Sequence, residues 1–180
     1  DLLLSQRQPR RDDSIVLTKS YHPNYDDILL HIRQAKDFFL LVGPPGTGKT
    51  SMALKFMVEE ELAANNNANI LITSYTNRAV DEICSMLCDA RLNFMRIGNE
   101  ASCDPRFKDY LLESTFSTCP KLTEIKRRIE STRIIVGTTS TLQARPFIFD
   151  IKQFAIAIID EASQILEPNI IGLLAKHRAD

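Results

Sequence analysis

The stretch GPPGTGKT at residues 43–50 constrains the fold of this chain more than any other. It satisfies the pattern G-x-x-x-x-G-K-[ST], in which a glycine-rich turn joins a strand to a helix and wraps phosphate oxygens with backbone amides. The apolar run FFLLV precedes it, and a largely apolar segment from about Lys49 to Ala64 follows it. We therefore predict a buried strand at 38–42, a phosphate-binding turn and a buried helix.

The chemistry of this turn predicts binding of a nucleoside triphosphate. Glycines allow the backbone to approach phosphate closely, Lys49 supplies a cation for the β- and γ-phosphates, and the Thr50 hydroxyl suits Mg²⁺. A glycine-rich turn that matches the pattern by chance is the alternative. The predicted ATP-binding residues are Gly43, Pro44, Pro45, Gly46, Thr47, Gly48, Lys49, Thr50 and Ser51.

Downstream, apolar runs alternate with amphipathic segments. Strands that are apolar throughout and separated by helices imply a parallel sheet covered on both faces, which predicts an α/β three-layer domain. We expect a partly irregular segment at 1–37, the domain itself at 38–180, and a mostly helical insertion at about 99–131. The predicted strands are ILITSY (70–75), FMRIG (94–98), RIIVGT (133–138) and AIAIID (155–160).

Two adjacent carboxylates, Asp160 and Glu161, directly follow the last of these strands. Parallel strands present their carboxyl ends at one edge of a sheet, where ligands bind. Asp160 is therefore the predicted Mg²⁺ ligand and Glu161 the predicted base that orients water, with Lys49 as the third catalytic residue. The alternative is a strand that ends in solvated acids. With the phosphate turn upstream, the pair predicts ATP hydrolysis.

Charge and cysteine content set weaker limits. The formal net charge of −1 gives no global attraction to nucleic acid or anionic membrane, although local patches can still bind phosphate. No apolar stretch is long enough to suggest a membrane span.

We expect Cys84, Cys88, Cys103 and Cys119 to be free thiols of a reducing, intracellular compartment, the alternative being a metal held by Cys84 and Cys88. Because the chain begins with Asp1, we expect it to be part of a longer polypeptide.

Four stretches, in this order, resemble the first RecA-like domain of a superfamily 1 helicase of the Upf-one-like branch (superfamily 1B). They are GPPGTGKT (43–50), ITSYTNRAVDEI (72–83), IIVGTTSTL (134–142) and IIDEASQ (158–164). The resemblance covers residues 38 to about 175. It implies a RecA-like fold, ATP and Mg²⁺ as cofactors, and a helicase or translocase that acts on single-stranded DNA or RNA.

The second and third stretches suit nucleic-acid phosphates, because free amides and hydroxyls gather where strands give way to helices. Found alone, the second stretch would be better explained as a helix cap and the third as a polar turn, but the four stretches together and in order favour nucleic-acid contacts. The predicted nucleic-acid contacts are Ser74, Thr76, Asn77, Thr138, Thr139 and Ser140. The resemblance also implies that Gln164 couples the γ-phosphate to a partner domain, the alternative being an ordinary residue of a first helical turn.

The chain departs from the family pattern in three places. Relatives carry an adenine-reading glutamine upstream of the phosphate turn, whereas YHPNYDDILLHI (21–32) has none. Tyr21 and Tyr25 are candidates for stacking on the base or for a core or surface role. The β-barrel insertion of some relatives is absent from the pattern, and the helical insertion at about 99–131 takes the place of a smaller family insertion. Its basic run 126–128 is a candidate nucleic-acid contact or a solvated helix face. The sequence ends before a third motif and a second RecA-like domain, so we expect a monomer that binds ATP–Mg²⁺ weakly and hydrolyses it poorly.

Two other function classes remain open. GPPGTGKT is equally typical of AAA+ remodelling ATPases, although the separation of Lys49 from Asp160 is longer than those usually have. A nucleotide-gated binding domain without turnover is the non-enzyme alternative. The intact set of Lys49, Thr50, Asp160 and Glu161 argues against it.

Overall fold

The computed structural model describes residues 8–44, 46–114 and 121–176, with the side chains of the last helix described as far as Leu173. Pro45 and Cys119 lie outside the described residues. Backbone contacts divide the chain into two compact units, Asp1–Asn66 and Asn67–Asp180. Each is described by itself below.

The first unit contains two helices that pack on each other, α1 (Asp26–Gln34) and α2 (Leu54–Ala64). Acidic residues fill the first turn of α1, where they interact favourably with the positive end of the helix. A π-helical turn, Lys49–Ala53, runs directly into α2, so the helix predicted from Lys49 to Ala64 is confirmed. The helix α1 lies in a segment that the sequence left without a predicted element.

The prediction of a buried strand at 38–42 is wrong. These residues form no ladder, and Leu40 and Val42 are 74% and 91% exposed. A strand needs a hydrogen-bonded neighbour. Among the described residues of the first unit, the sole β-bridge is an isolated antiparallel one between Arg11 and Ala35. It does not involve residues 38–42, so this run has no strand to pair with.

The second unit is built on a four-stranded parallel sheet in the order β2-β3-β1-β4. The four predicted strands are confirmed as β1 (Ile70–Ser74), β2 (Phe94–Ile97), β3 (Ile134–Thr138) and β4 (Ile156–Ile159). Every residue of the first three is buried, whereas the edge strand β4 is half-buried. Ser74 and Thr138 are register partners, so β1 and β3 end side by side.

Helices cover both faces of this sheet. Leu71 and Ile135 face a core cluster that includes Ile129, Ile148 and Leu173 from three helices. Successive strand residues point to opposite faces, which leaves the other face to α3. The predicted three-layer α/β architecture is therefore confirmed. The helices are α3 (Asn77–Asp89), α4 (Leu122–Ser131), α5 (Thr139–Gln143), α6 (Phe147–Ile151) and α7 (Glu167–Lys176).

The predicted insertion at 99–131 is partly helical where it is described. Two 3₁₀ turns, Glu100–Ser102 and Pro105–Tyr110, precede α4, and the Tyr110 ring stacks on Phe94 of β2 at 4.4 Å between centroids.

Cys84 and Cys103 are buried free thiols and Cys88 is half-buried. Burial raises the pKa of the Cys84 thiol. No helix among residues 8–44, 46–114 and 121–176 combines the length and apolar character that crossing a membrane requires.

Candidate nucleotide and nucleic-acid site

The phosphate loop depends on its glycines. Gly46 and Gly48 have φ angles of 79° and 76°, a left-handed conformation that residues with a Cβ rarely adopt. A Cβ on Gly48 would lie 2.6 Å from the Tyr25 hydroxyl, and one on Gly43 would lie 3.1 Å from Thr47 Oγ1. The loop therefore has the tight backbone path that a phosphate cradle needs.

The Lys49 ammonium lies over this loop. Its Nζ donates to the carbonyl oxygens of Gly43 at 2.5 Å and Pro44 at 2.7 Å, and Thr47 Oγ1 donates to the same Pro44 oxygen at 2.8 Å. A phosphate oxygen is a stronger acceptor for an ammonium than a neutral carbonyl oxygen. Lys49 is thus positioned to exchange loop carbonyls for a bound polyphosphate.

The helix after the loop begins with a wide turn. The amides of Met52 and Ala53 both donate to the Gly48 carbonyl, at 2.8 Å and 3.0 Å. Thr50 is half-buried and Ser51 exposed in this turn, at the positive end of the helix that it opens. These features suit an anion, and the hydroxyl of Thr50 is a hard oxygen donor of the kind that Mg²⁺ prefers.

In the second unit, the acidic pair follows β4. The Asp160 amide donates to the Thr73 carbonyl at 2.8 Å, so the ladder extends one residue beyond the strand. Glu161 is exposed and has φ 52° and ψ 38°, a left-handed conformation for a residue that is not glycine. Such strain is typical of functional positions. Gln164 ends a 3₁₀ turn, Ala162–Gln164, and is exposed.

The phosphate loop belongs to the first unit and the acidic pair to the second. That Lys49, Asp160 and Glu161 act on one nucleotide stays a prediction from their chemistry.

The predicted nucleic-acid residues gather at the carboxyl ends of β1 and β3. Thr76 Oγ1 accepts from the Ala79 amide at 3.1 Å and caps α3, while Thr138 Oγ1 accepts from the Thr141 amide at 3.2 Å and caps α5. Both threonines therefore cap helices. At Thr76 this is the alternative that the sequence left open, whereas at Thr138 the alternative was a polar turn and the structure has a helix cap instead.

Burial separates these six residues into two groups. Ser74, Thr138 and Thr139 are buried, and Thr139 Oγ1 donates to the Ser74 carbonyl at 3.3 Å, so they shape the edge from within. Asn77 and Thr76 are half-buried and Ser140 is exposed. The second group is the one that a ligand reaches directly.

Two exposed residues of the same stretch were missed by the sequence reasoning. Tyr75 is 52% exposed, and the Arg78 side chain is 90% exposed and lies 3.5 Å from Glu82. An exposed aromatic ring and a cation beside hydroxyl groups are typical of single-strand binding. Both residues lie within the motif ITSYTNRAVDEI, so the sequence contained the signal for them. Asp81, by contrast, pairs with the wholly buried Arg96 of β2 and anchors α3. Burial lowers the pKa of Arg96.

The basic run of α4 forms a solvated face. Lys126 lies 3.9 Å from Glu130, Arg127 lies 2.7 Å from Glu124, and Arg128 is exposed. Such pairs along a helix are typical of a surface that faces water.

Comparison with known proteins gives consistent relatives. A family model described as "AAA domain" matches residues 24–132, more than half of the chain. The yeast (Saccharomyces cerevisiae) DNA replication ATP-dependent helicase/nuclease DNA2 is 28% identical over 96% of this chain and 12% of its own length. The Arabidopsis thaliana helicase/nuclease JHS1 is 30% identical over 96% and 13%, and human DNA2 is 28% identical over 97% and 17%.

The chain therefore spans less than a fifth of the length of these relatives. Among solved structures, the crystal structure of the Pyrococcus furiosus Hef helicase domain matches with a TM-score of 0.45 at 12% identity. That match covers 71% of this chain and 21% of the other.

Proposed function

The chain belongs to the AAA domain family, in the Upf-one-like branch of the superfamily 1 helicases, and from this premise we propose that it is the first ATPase domain of a DNA helicase or translocase. The observation that carries the proposal is the phosphate loop. Its two left-handed glycines and the Lys49 ammonium are the parts that a nucleoside triphosphate requires. ATP is the proposed nucleotide.

We assign the binding of the phosphates and of Mg²⁺ to five residues. Gly46 and Gly48 direct backbone amides at the phosphates, and Lys49 neutralises charge that develops on the γ-phosphate. Thr50 and Asp160 would hold Mg²⁺ through their oxygens. The ion, when bound, stabilises charge on the β- and γ-phosphate oxygens.

Glu161 is the proposed general base. Its carboxylate would accept a proton from the attacking water, and its exposed position directly after β4 supports that role. Gln164 would report the γ-phosphate to a second RecA-like domain of the parent protein. Arginines of that domain are proposed to complete the site, so the chain by itself would turn over slowly.

The proposed nucleic-acid track is the carboxyl edge of β1 and β3. Thr76, Asn77 and Ser140 would contact backbone phosphates, while Tyr75 would stack on a base and Arg78 would add charge. Single-stranded DNA is proposed over RNA because the relatives are named as DNA replication helicase/nucleases. An intracellular setting follows from the same role.

The test is ATP hydrolysis by the longer parent protein with and without nucleic acid. We expect single-stranded DNA to stimulate turnover at least tenfold, more than RNA does, and Lys49→Ala to abolish both rates. Stimulation by a protein substrate alone would favour an AAA+ remodelling ATPase. ATP binding without turnover under any condition would favour a nucleotide-gated binding domain.

A further inference from the structure

We infer that Tyr25 is a positioning residue for the phosphate loop: its hydroxyl holds the Thr47 carbonyl and thereby sets the direction of the Gly48 amide. The inference rests on the proposed binding of a nucleoside triphosphate by this loop. It assigns a defined role to a tyrosine that the sequence left open between base stacking and a core or surface position.

The contact is direct. Tyr25 Oη donates to the Thr47 carbonyl oxygen at 2.9 Å. In a trans peptide unit the carbonyl and the following N–H point in opposite directions. A Thr47 carbonyl held toward Tyr25 therefore directs the Gly48 N–H away from Tyr25.

This peptide unit needs an external restraint. It lies between Gly46 and Gly48, both left-handed, and glycine gives the backbone more freedom than any other residue. The Thr47 side chain is held to the Pro44 carbonyl at 2.8 Å, but that bond does not fix the main-chain carbonyl. The Tyr25 hydroxyl is the described partner that does.

Tyr25 is itself rigidly supported. Its ring packs edge-on against the buried Phe56 of α2, with centroids 5.7 Å apart, and against His22 at 5.4 Å. The Asp26 carboxylate accepts from the amides of Tyr21 and His22 at 2.8 Å and 2.9 Å. A hydrogen bond from Ser20 and these two amides hold the pKa of Asp26 below its ordinary value.

The segment that carries Tyr25 is anchored to the helix that follows the loop. Glu60 of α2 is wholly buried and accepts from the Thr18 amide at 3.1 Å and from the Tyr21 hydroxyl at 2.9 Å. Arg33 of α1 lies 3.5 Å from the same carboxylate. The helix α2 is thus connected to the loop in two ways. The turn Lys49–Ala53 joins them directly, and Glu60 contacts the segment that carries Tyr25, whose hydroxyl bonds the loop.

The experiment measures binding of ATP–Mg²⁺ and of inorganic triphosphate to this chain by calorimetry. The variants are Tyr25→Phe, which keeps the ring and removes the hydroxyl, and the matched control Tyr110→Phe, which makes the same change to a ring that stacks on Phe94 in the second unit. We expect Tyr25→Phe to weaken both ligands by roughly three- to tenfold, the size of one hydrogen bond. Tyr110→Phe should change both affinities less than twofold.

The two ligands separate positioning from base recognition. Because Tyr25 acts on the phosphate loop, the loss should be the same for triphosphate, which has no base. A loss confined to ATP would overturn the inference in favour of a base contact, and unchanged binding of both ligands by Tyr25→Phe would also overturn it. A thermal midpoint of Tyr25→Phe within about 2 °C of the wild type establishes that the fold is intact. If the wild-type chain bound neither ligand, the proposed function would fail first, and the inference with it.

Discussion

Replacement of Glu161 by glycine should stabilise the chain while it removes turnover. Glu161 has φ 52° and ψ 38°, and a left-handed residue with a Cβ costs about 1–2 kcal/mol. Glycine relieves that strain but increases the entropy of the unfolded chain, which costs about 0.5–1 kcal/mol. We therefore expect Glu161→Gly to raise the free energy of unfolding by roughly 0.5–1 kcal/mol. In a domain of this size, that corresponds to a thermal midpoint about 2 °C higher.

The chain contains a matched control for the strain. Arg91 has φ 55° and follows α3, where its amide donates to the Cys88 carbonyl at 2.9 Å and the Leu92 amide donates to the Leu87 carbonyl at 2.9 Å. This pattern is a Schellman motif, in which glycine is the favoured residue. Arg91→Gly should give a similar gain in stability and leave turnover unchanged.

Urea unfolding of this chain measures the stabilities, and ATP hydrolysis by the parent protein measures turnover. A Glu161→Gln variant keeps the strained backbone and removes the base, so it should lose about 10²- to 10⁴-fold in rate without gaining stability. If Glu161→Gly destabilised the chain while Arg91→Gly stabilised it, the strain argument would be refuted. Normal turnover by Glu161→Gln would place the base at another residue.

Three further predictions concern stability. Gly137→Ala should cost about 1–3 kcal/mol, because the new Cβ would lie 3.0 Å from the Ile97 carbonyl oxygen. Gly172→Ala in α7 should cost less, because its Cβ would lie 3.3 Å from Gln143 Nε2, the end of a flexible side chain, and because alanine favours a helix over glycine. Urea unfolding compares the two variants. Glu60→Ala should cost roughly 3 kcal/mol in the same assay, because it removes the acceptor of both the Thr18 amide and the Tyr21 hydroxyl, although Arg33 keeps Glu61 at 2.6 Å. Burial, with a smaller contribution from Glu60, raises the pKa of Tyr21 from 10.0 to about 12. Because the pKa is higher in the folded chain than in the unfolded chain, the neutral phenol contributes to the stability of the fold below pH 10. This contribution is about 1 kcal/mol after solvent screening, and it is lost as the pH rises from about 10 to about 12. Tyr21→Phe should lack that loss in pH-dependent unfolding.

The sequence predicted the sheet of the second unit well because each strand carries its own signal. Runs such as ILITSY and RIIVGT are apolar throughout, and a parallel sheet buried on both faces requires such runs. The same signal misled at 38–42, since FFLLV is equally apolar but no neighbouring strand among the described residues of its unit pairs with it. Apolar character reports that a run can be buried, whereas pairing depends on a partner that local sequence does not specify.

The same distinction between local sequence signals and long-range contacts applies to the candidate site. The glycines, the lysine and the two acids were predicted because their spacing alone encodes a turn and a strand end. The contact between Tyr25 and Thr47 was not predicted, because it joins residues 22 positions apart through packing on α2. Likewise, the exposure of Tyr75 and the burial of Ser74 depend on which face of the edge each residue occupies, which the motif letters do not show.

The structure also reconciles two interpretations of the hydroxyl residues that the sequence treated as alternatives. Thr76 Oγ1 accepts a hydrogen bond from the Ala79 amide, which uses a lone pair and leaves the hydroxyl proton available to donate. A helix cap can therefore also contact a phosphate oxygen. At Thr138 the same oxygen lies 2.7 Å from Thr141 Oγ1 and is buried, so its hydrogen-bonding capacity is used within the protein. Of the two caps, Thr76 is the one whose chemistry and exposure suit a nucleic-acid backbone, and Thr138 keeps the neighbouring strand end in place.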